Sequence, residues 1–249
     1  MWITAMNGFL PYEIIGHQPA AAGANILIVA DHASNQVPDR INLGIGPQDL
    51  EKHIAIDIGV ASVTRALCAS LGCGAVLANV SRLVIDFNRE EDAPGLIPTI
   101  SDGVSIPGNM EVDAEARLAR YHRPYHAAVS CTLDAIERPF ILSLHSFTPR
   151  LASRPAEQRP WDVGILYNKD DRAAQIAIEM LNGTGLLVGD QLPYSGTVLN
   201  ATMNLHGEAR GIPYLGVEMR QDLVGDDAGA QRMMTLLAPV LLACSNRLA

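Results

Sequence analysis

Between Phe140 and Pro149 the chain reads FILSLHSFTP: apolar and small residues run straight into His145, and the chain turns over Ser146–Pro149. A buried strand that delivers a histidine at its carboxyl end narrows the fold sharply. Open α/β sheets carry their chemistry in the crevice beyond those ends. Two other short apolar runs stop in the same way. Ile26–Ala30 (ILIVA) leads into Asp31 and His32, and Tyr214–Val217 (YLGV) leads into Glu218. Two histidines and a glutamate, each closing an apolar run, point to one shared site. Imidazole and carboxylate donors are the usual set of a catalytic zinc, with a further carboxylate as base.

The stretches around these runs alternate between strand and helix patterns. Ile56, Val60, Val63, Leu67 and Leu71 keep helical spacing until Gly72 and Gly74 stop it. Ala75–Asn79 and Leu83–Phe87 read as strands. Val112–Glu137 reads as a long helical region broken near Pro124. Asp162–Tyr167 is a strand, Asp170–Leu181 a helix, Leu186–Val188 a short strand, and Asn200–Arg210 helical. Ile212–Met219 is a strand and Asp226–Leu248 a closing helix containing Pro239. Residues 1–25 read as an irregular lead-in. The Pro- and Gly-rich stretch Glu90–Asn109 reads as a binding loop or lid. Strand–helix alternation predicts a largely parallel sheet covered on both faces. With no repeat, low-complexity tract or linker, residues 1–249 read as a single domain.

Composition narrows the partners. The net charge of −9 argues against a general nucleic-acid binder and against a polybasic membrane face. No apolar run approaches the roughly 20 residues of a membrane span, and the N-terminus lacks the pattern of a signal peptide. The four cysteines, Cys68, Cys73, Cys131 and Cys244, form no C-x-x-C pair. They read as reduced thiols of a cytoplasmic protein.

Each candidate residue has a plain reading beside the chemical one. His145 is either a hydrogen-bonded core histidine or a neutral metal ligand. His32 is either a turn residue or a ligand that Asp31 or Asn35 orients. A third ligand is open among Asp57, Asn35, Glu51 and His53. Glu218 is either a base that takes a proton from water or half of a structural pair with Arg220. Arg82, Asn88 and Arg89 are either surface groups or forks for a substrate carboxylate. His206 either reaches the site as a polar contact or is exposed. Pro124 weakens any pairing of His122 with His126.

Five blocks in register extend these single signals: DHASNQVP (31–38), HIAIDIG (53–59), SRLVIDFNR (81–89), LHSFTP (144–149) and VEMRQDL (217–223). Together with SDGVSIPGN (101–109) and RPWDVGILYN (159–168), they resemble the N-formylglutamate amidohydrolase family over nearly the whole chain. The resemblance implies a three-layer α/β/α sandwich with a mixed, mainly parallel sheet, similar to the zinc carboxypeptidases. It also implies one Zn2+ per chain, with His32 and His145 as ligands and Glu218 as general base. Asn88 and Arg89 would hold a substrate carboxylate, and Arg82 would add a second anchor or polarise the scissile carbonyl. Arg220, Asn109 and His206 join the expected substrate contacts. Carboxypeptidases carry a glutamate three residues after the first histidine, where this chain has Asn35. Asp57 is the substitute ligand, by analogy with related zinc amidases. The implied reaction is hydrolysis of an N-acyl amino acid, such as N-formyl-L-glutamate, to formate and the free amino acid. Other readings are a different N-acyl amino acid, a peptide or a cell-wall amide, or a non-catalytic binding protein on the same fold.

Overall fold

A computed structural model describes residues 9–249. Its strands, in chain order, are β1 (Tyr12–Ile15), β2 (Ile26–Ala30), β3 (Gly74–Ala78), β4 (Ile100–Ser101), β5 (Val104–Ser105), β6 (Phe140–Phe147), β7 (Val163–Leu166), β8 (Val188–Asp190) and β9 (Tyr214–Arg220). The helices are α1 (Pro47–Leu50), α2 (Val60–Leu71), α3 (Ala114–Arg117), α4 (Arg123–Asp134), α5 (Arg172–Asn182), α6 (Ala201–His206) and α7 (Asp227–Leu248). One sheet takes the order β1-β3-β2-β6-β9-β7-β8, and β4 pairs only with β5. The centre, β3-β2-β6-β9, is parallel throughout. β1 and β7 join it antiparallel, and β8 runs parallel to β7.

Alternating side chains of the central strands feed two apolar layers. Ile26, Ile28, Leu142, Leu144, Leu215 and Val217 face α2, α5 and α7. Leu27, Val29, Val76 and Ile141 face the other way, towards α4 and the loops beside it. Both faces are covered, which is why these strands read as unbroken apolar runs. The result is the three-layer α/β/α arrangement with a mixed, mainly parallel sheet that the sequence predicts.

Several boundaries differ from the sequence expectation, each for a local reason. β6 continues through Phe147 instead of turning at Ser146, because β9 pairs with it as far as Phe147 and Arg220. The helix expected from Ile56 begins at Val60. Gly59 precedes it at φ +84, a conformation suited to glycine, and a Cβ there would collide with the Val224 carbonyl. Asp57 therefore lies in a turn before the helix. Tyr12–Ile15 is an edge strand where an irregular lead-in was expected; residues 16–25 are irregular as read, and residues 1–8 lie outside the described residues. The stretch 90–109 contains the β4–β5 hairpin and a 3-10 turn over Pro107–Asn109. The break near Pro124 is a π turn over Leu118–His122, just before Pro124 enters the first turn of α4.

Leu83–Phe87 is not a strand. Leu83, Val84, Ile85 and Phe87 are fully buried, but as a chain of turns. No neighbouring strand satisfies this backbone; distant side chains do. Asn109 Nδ2 donates to the Leu83 carbonyl at 2.7 Å and Arg117 Nη1 to the Val84 carbonyl at 2.7 Å. His126 Nε2 and Thr202 Oγ1 both reach the Phe87 carbonyl, at 3.0 and 3.3 Å. Buried peptide groups need partners, and here side chains replace the ladder.

Candidate metal centre and active site

The strand ends converge as the apolar runs require. β6 and β9 are in register, with His145 beside Glu218. His32 follows β2 by two residues. Asp57 is pinned between them: its N–H donates to the His32 carbonyl at 3.0 Å, and the Ser146 N–H donates to its Oδ2 at 3.3 Å. Ser146 Oγ further ties the turn by donating to the Ile58 carbonyl at 2.8 Å. His32 Nδ1 lies 3.3 Å and His145 Nδ1 3.0 Å from the same Asp57 Oδ2. One donor atom from each of the three falls within 4.8 Å of the others, and all three residues are buried.

Both imidazoles turn their far nitrogens to a second carboxylate. His32 Nε2 is 2.7 Å from Asp86 Oδ1, and His145 Nε2 is 3.4 Å from Asp31 Oδ2. Asp31 therefore serves His145 and not the neighbouring His32. Asn35 serves neither; its Nδ2 donates to the Leu50 carbonyl and to Glu51. Arg82 bridges the carboxylates, Nη1 donating to Asp57 Oδ1 at 3.1 Å and Nη2 to Asp86 Oδ2 at 2.9 Å.

The cluster opens into a cavity of about 140 Å³ lined by His32, Asp57, Arg82, Asn88, Arg89, His145, Tyr194 and Glu218, with His53, Asp86 and Thr148 among its other walls. Among the described residues Glu218 Oε2, buried there, has no hydrogen-bond partner. Burial pushes the Glu218 carboxyl up to about 7, despite the opposing pull of His145. Burial would also raise Asp57, but His32, His145 and Arg82 hold it well below the usual carboxylate range. For His145, burial opposes a charge, yet Asp31 and Asp57 lift its pKa well above the ordinary value. These buried carboxylates make the floor of the cavity a place for positive charge.

Three expected substrate contacts lie elsewhere. Arg220 follows Glu218 by two residues on β9, but Asp162 and Asp222 hold its guanidinium at 3.1 and 2.8 Å, away from the cavity. Asn109 is spent on backbone: its Nδ2 serves the Leu83 and Pro98 carbonyls, and its Oδ1 accepts from Arg117. His206 Nε2 meets His126 Nδ1 at 3.0 Å, and the two rings stack. The sequence reading missed Asp86, Tyr194 and Thr148, and offered His53, which lines the cavity, only as an alternative third ligand. The signal for Asp86 was present in Asp86-Phe87-Asn88-Arg89, but a strand reading placed the charges at its edges.

The buried pair His126–His206 sets a pH dependence. Burial lowers both pKa values to about 4, below the 6.5 of an exposed histidine. The folded protein thus refuses protons that the unfolded chain accepts between pH 6.5 and 4. Stability from this pair is full above pH 6.5 and is lost as pH falls through that window, by roughly 2 kcal/mol per histidine between pH 7.5 and 5. Glu218 and His145, whose pKa values are raised, shift stability the opposite way over the same range, so the pair is read as a difference: in urea unfolding of metal-free protein, moving from pH 7.5 to 5 should cost wild type more, or stabilise it less, than His206→Gln. The same pH response in the two proteins would exclude the pair as a source.

Fold and site together define an α/β/α protein with a His–Asp–His cluster at the carboxyl ends of its parallel strands. The family model for N-formylglutamate amidohydrolase matches residues 24–225. The chain belongs to the N-formylglutamate amidohydrolase family. The solved structure of gene product Atu2144 from Agrobacterium tumefaciens is similar at a TM-score of 0.89 and 27% identity, covering 98% of each chain. An N-formylglutamate amidohydrolase from Ralstonia eutropha shares the fold at a TM-score of 0.74 and 19% identity, over 96% of this chain and 98% of that one. A metallo-carboxypeptidase from Burkholderia cenocepacia matches at a TM-score of 0.44 and 14% identity, over 94% of this chain and 60% of that one, too remote to carry an argument. No curated protein matches the chain.

Proposed function

We propose that the protein is a zinc-dependent amidohydrolase that cleaves the amide of a small N-acyl amino acid, N-formyl-L-glutamate being the first substrate to test. The observation that carries this reading is the pairing of a His–Asp–His donor set with an unpartnered buried glutamate on the same cavity. His32 Nδ1, His145 Nδ1 and Asp57 Oδ2 would hold the metal. The two imidazole nitrogens stand 3.3 and 3.0 Å from Asp57 Oδ2, and the three donors lie close enough together to share one ion. The carboxylates behind both imidazoles match the arrangement that fixes ligand histidines. When bound, zinc supplies a Lewis acid for the amide carbonyl and acidifies water.

The chain's own groups do the rest. Glu218 Oε2 takes a proton from the attacking water and passes it to the leaving nitrogen, so that one water and one amide yield a carboxylic acid and an amine. Arg89, half-buried on the cavity wall and 3.9 Å from Asp86, offers its fork to the substrate carboxylate. Asn88 accepts from the Thr202 N–H through its Oδ1, which leaves its amide free to donate beside Arg89. Arg82 keeps Asp57 and Asp86 in place and adds positive potential near the carbonyl. A cavity of about 140 Å³ supports a small acyl amino acid over a peptide or cell-wall polymer. Glu218 at its wall supports catalysis over binding alone. Among the described residues no helix is long and apolar enough to cross a membrane. The four cysteines are free, which supports a cytoplasmic location.

Elemental analysis of the purified protein should find about one zinc per chain, with formate released from N-formyl-L-glutamate and lost on chelation. Zinc without formate release would move the search to other acyl groups. No metal, and no activity when zinc is added, would overturn the reading.

A further inference from the structure

Asp31, the carboxylate behind His145, is itself held from a second side. It is fully buried and directly follows β2, the strand next to β6. β2 pairs with β6 through Val29 and Ser143. Two residues further along both strands are Asp31 and His145, so the sheet register itself sets them side by side. Asp31 Oδ2 and His145 Nε2 face each other at 3.4 Å, an ion-pair contact, and among the described residues neither atom makes a hydrogen bond. The second oxygen, Oδ1, accepts a 2.8 Å hydrogen bond from the Tyr125 hydroxyl. Tyr125 comes from α4 on the opposite layer and is also fully buried. Its ring is wedged between Phe87, 4.6 Å away centroid to centroid, and His126, which it meets edge-on at 5.4 Å.

We propose that Tyr125 and Asp31 form a positioning pair that fixes the tautomer and plane of His145, so that its Nδ1 presents a lone pair to the metal. This rests on the metal-centre reading above. With Oδ1 held by the phenol, the carboxylate cannot rotate away, and Oδ2 stays against His145 Nε2. A proton kept on Nε2 leaves Nδ1 free for a metal. Burial and the neighbouring Asp31 raise the Tyr125 pKa well above 10, so the phenol remains a donor at any working pH. The arrangement also links the two imidazoles. Phe87, which packs on Tyr125, is the neighbour of Asp86, the carboxylate behind His32. A single aromatic contact thus spans both orienting devices.

The test uses Asp31→Asn and Tyr125→Phe, near-isosteric changes that keep the packing. Zinc affinity is measured by chelator competition, and the visible spectrum of the Co2+-substituted protein reports the ligand field. Asp31→Asn should weaken zinc binding about 10- to 100-fold and Tyr125→Phe by about 10-fold, at the lower end of the same range. Both should shift the cobalt bands. Wild-type affinity and spectra in both variants would overturn the proposal, and a lower unfolding midpoint of the metal-free protein alone would mark the pair as merely structural. An effect confined to Asp31→Asn would remove Tyr125 from the device. A wild-type protein that takes up neither zinc nor cobalt would overturn the metal reading itself, and this proposal with it.

Discussion

Glu218→Gln is expected to lower kcat for amide hydrolysis by about 10²- to 10⁴-fold, the usual contribution of a general base, while leaving zinc content unchanged. The amide keeps the size of the side chain but cannot take a proton from water. Glu218 is beside His145 in the register yet not within the donor trio, so the metal should stay. The variant also removes an ionisable group whose carboxyl is pushed up by burial, so the folded state should not suffer. Elemental analysis, unfolding and formate release on one preparation separate these effects. Near wild-type kcat would dismiss Glu218 as the base. A loss of zinc alongside activity would instead assign Glu218 to the ligand set.

His145→Ala should give the other large effect, loss of tight zinc binding together with loss of activity. Removing a ligand should cost more than the roughly 10- to 100-fold that losing an outer hydrogen-bond partner costs. It also strands Asp31 and Asp57 as buried carboxylates with less positive charge nearby. The metal-free variant should therefore unfold earlier than metal-free wild type, with the full gap below pH 6.5, where the raised pKa of His145 contributes most, and a narrowing gap as pH rises through that raised value. A variant that still carries stoichiometric zinc would remove His145 from the site.

Much of this arrangement was legible because three apolar runs each ended in a polar residue with few other reasons to be there. A strand buried on both faces gives an unbroken apolar signal, and the residue after it falls in the crevice. That logic led to His32, His145 and Glu218. Asp57 could be named from the sequence but not placed, since its position depends on a turn that Gly59 permits. The partners of the histidines were not legible. Asp31 is adjacent to His32 in sequence but serves His145 in space, and only the β2–β6 register reveals this. Arg220 misled for a related reason. Period two puts it on the face of Glu218, but Asp162, at the entry to the antiparallel neighbour β7, captures it first. Leu83–Phe87 has the composition of a strand and the burial of one. It lacks a free neighbour in the sheet, which composition does not record.

That last segment has a consequence for how such a site changes over time. His32 and His145 hang on the central strands β2 and β6, whose geometry is shared by every strand around them. Asp86, Asn88 and Arg89 instead belong to a stretch suspended by Asn109, Arg117, His126 and Thr202, four side chains from four separate elements. Substitutions at those anchors act on this stretch without touching the sheet. Asp86 of the same stretch stands 2.7 Å from His32 Nε2, so a change at an anchor reaches the His32 side of the cluster as well as the wall that holds Asn88 and Arg89. Under the proposed function, substrate preference and metal binding are therefore expected to drift together in a lineage that edits these remote anchors.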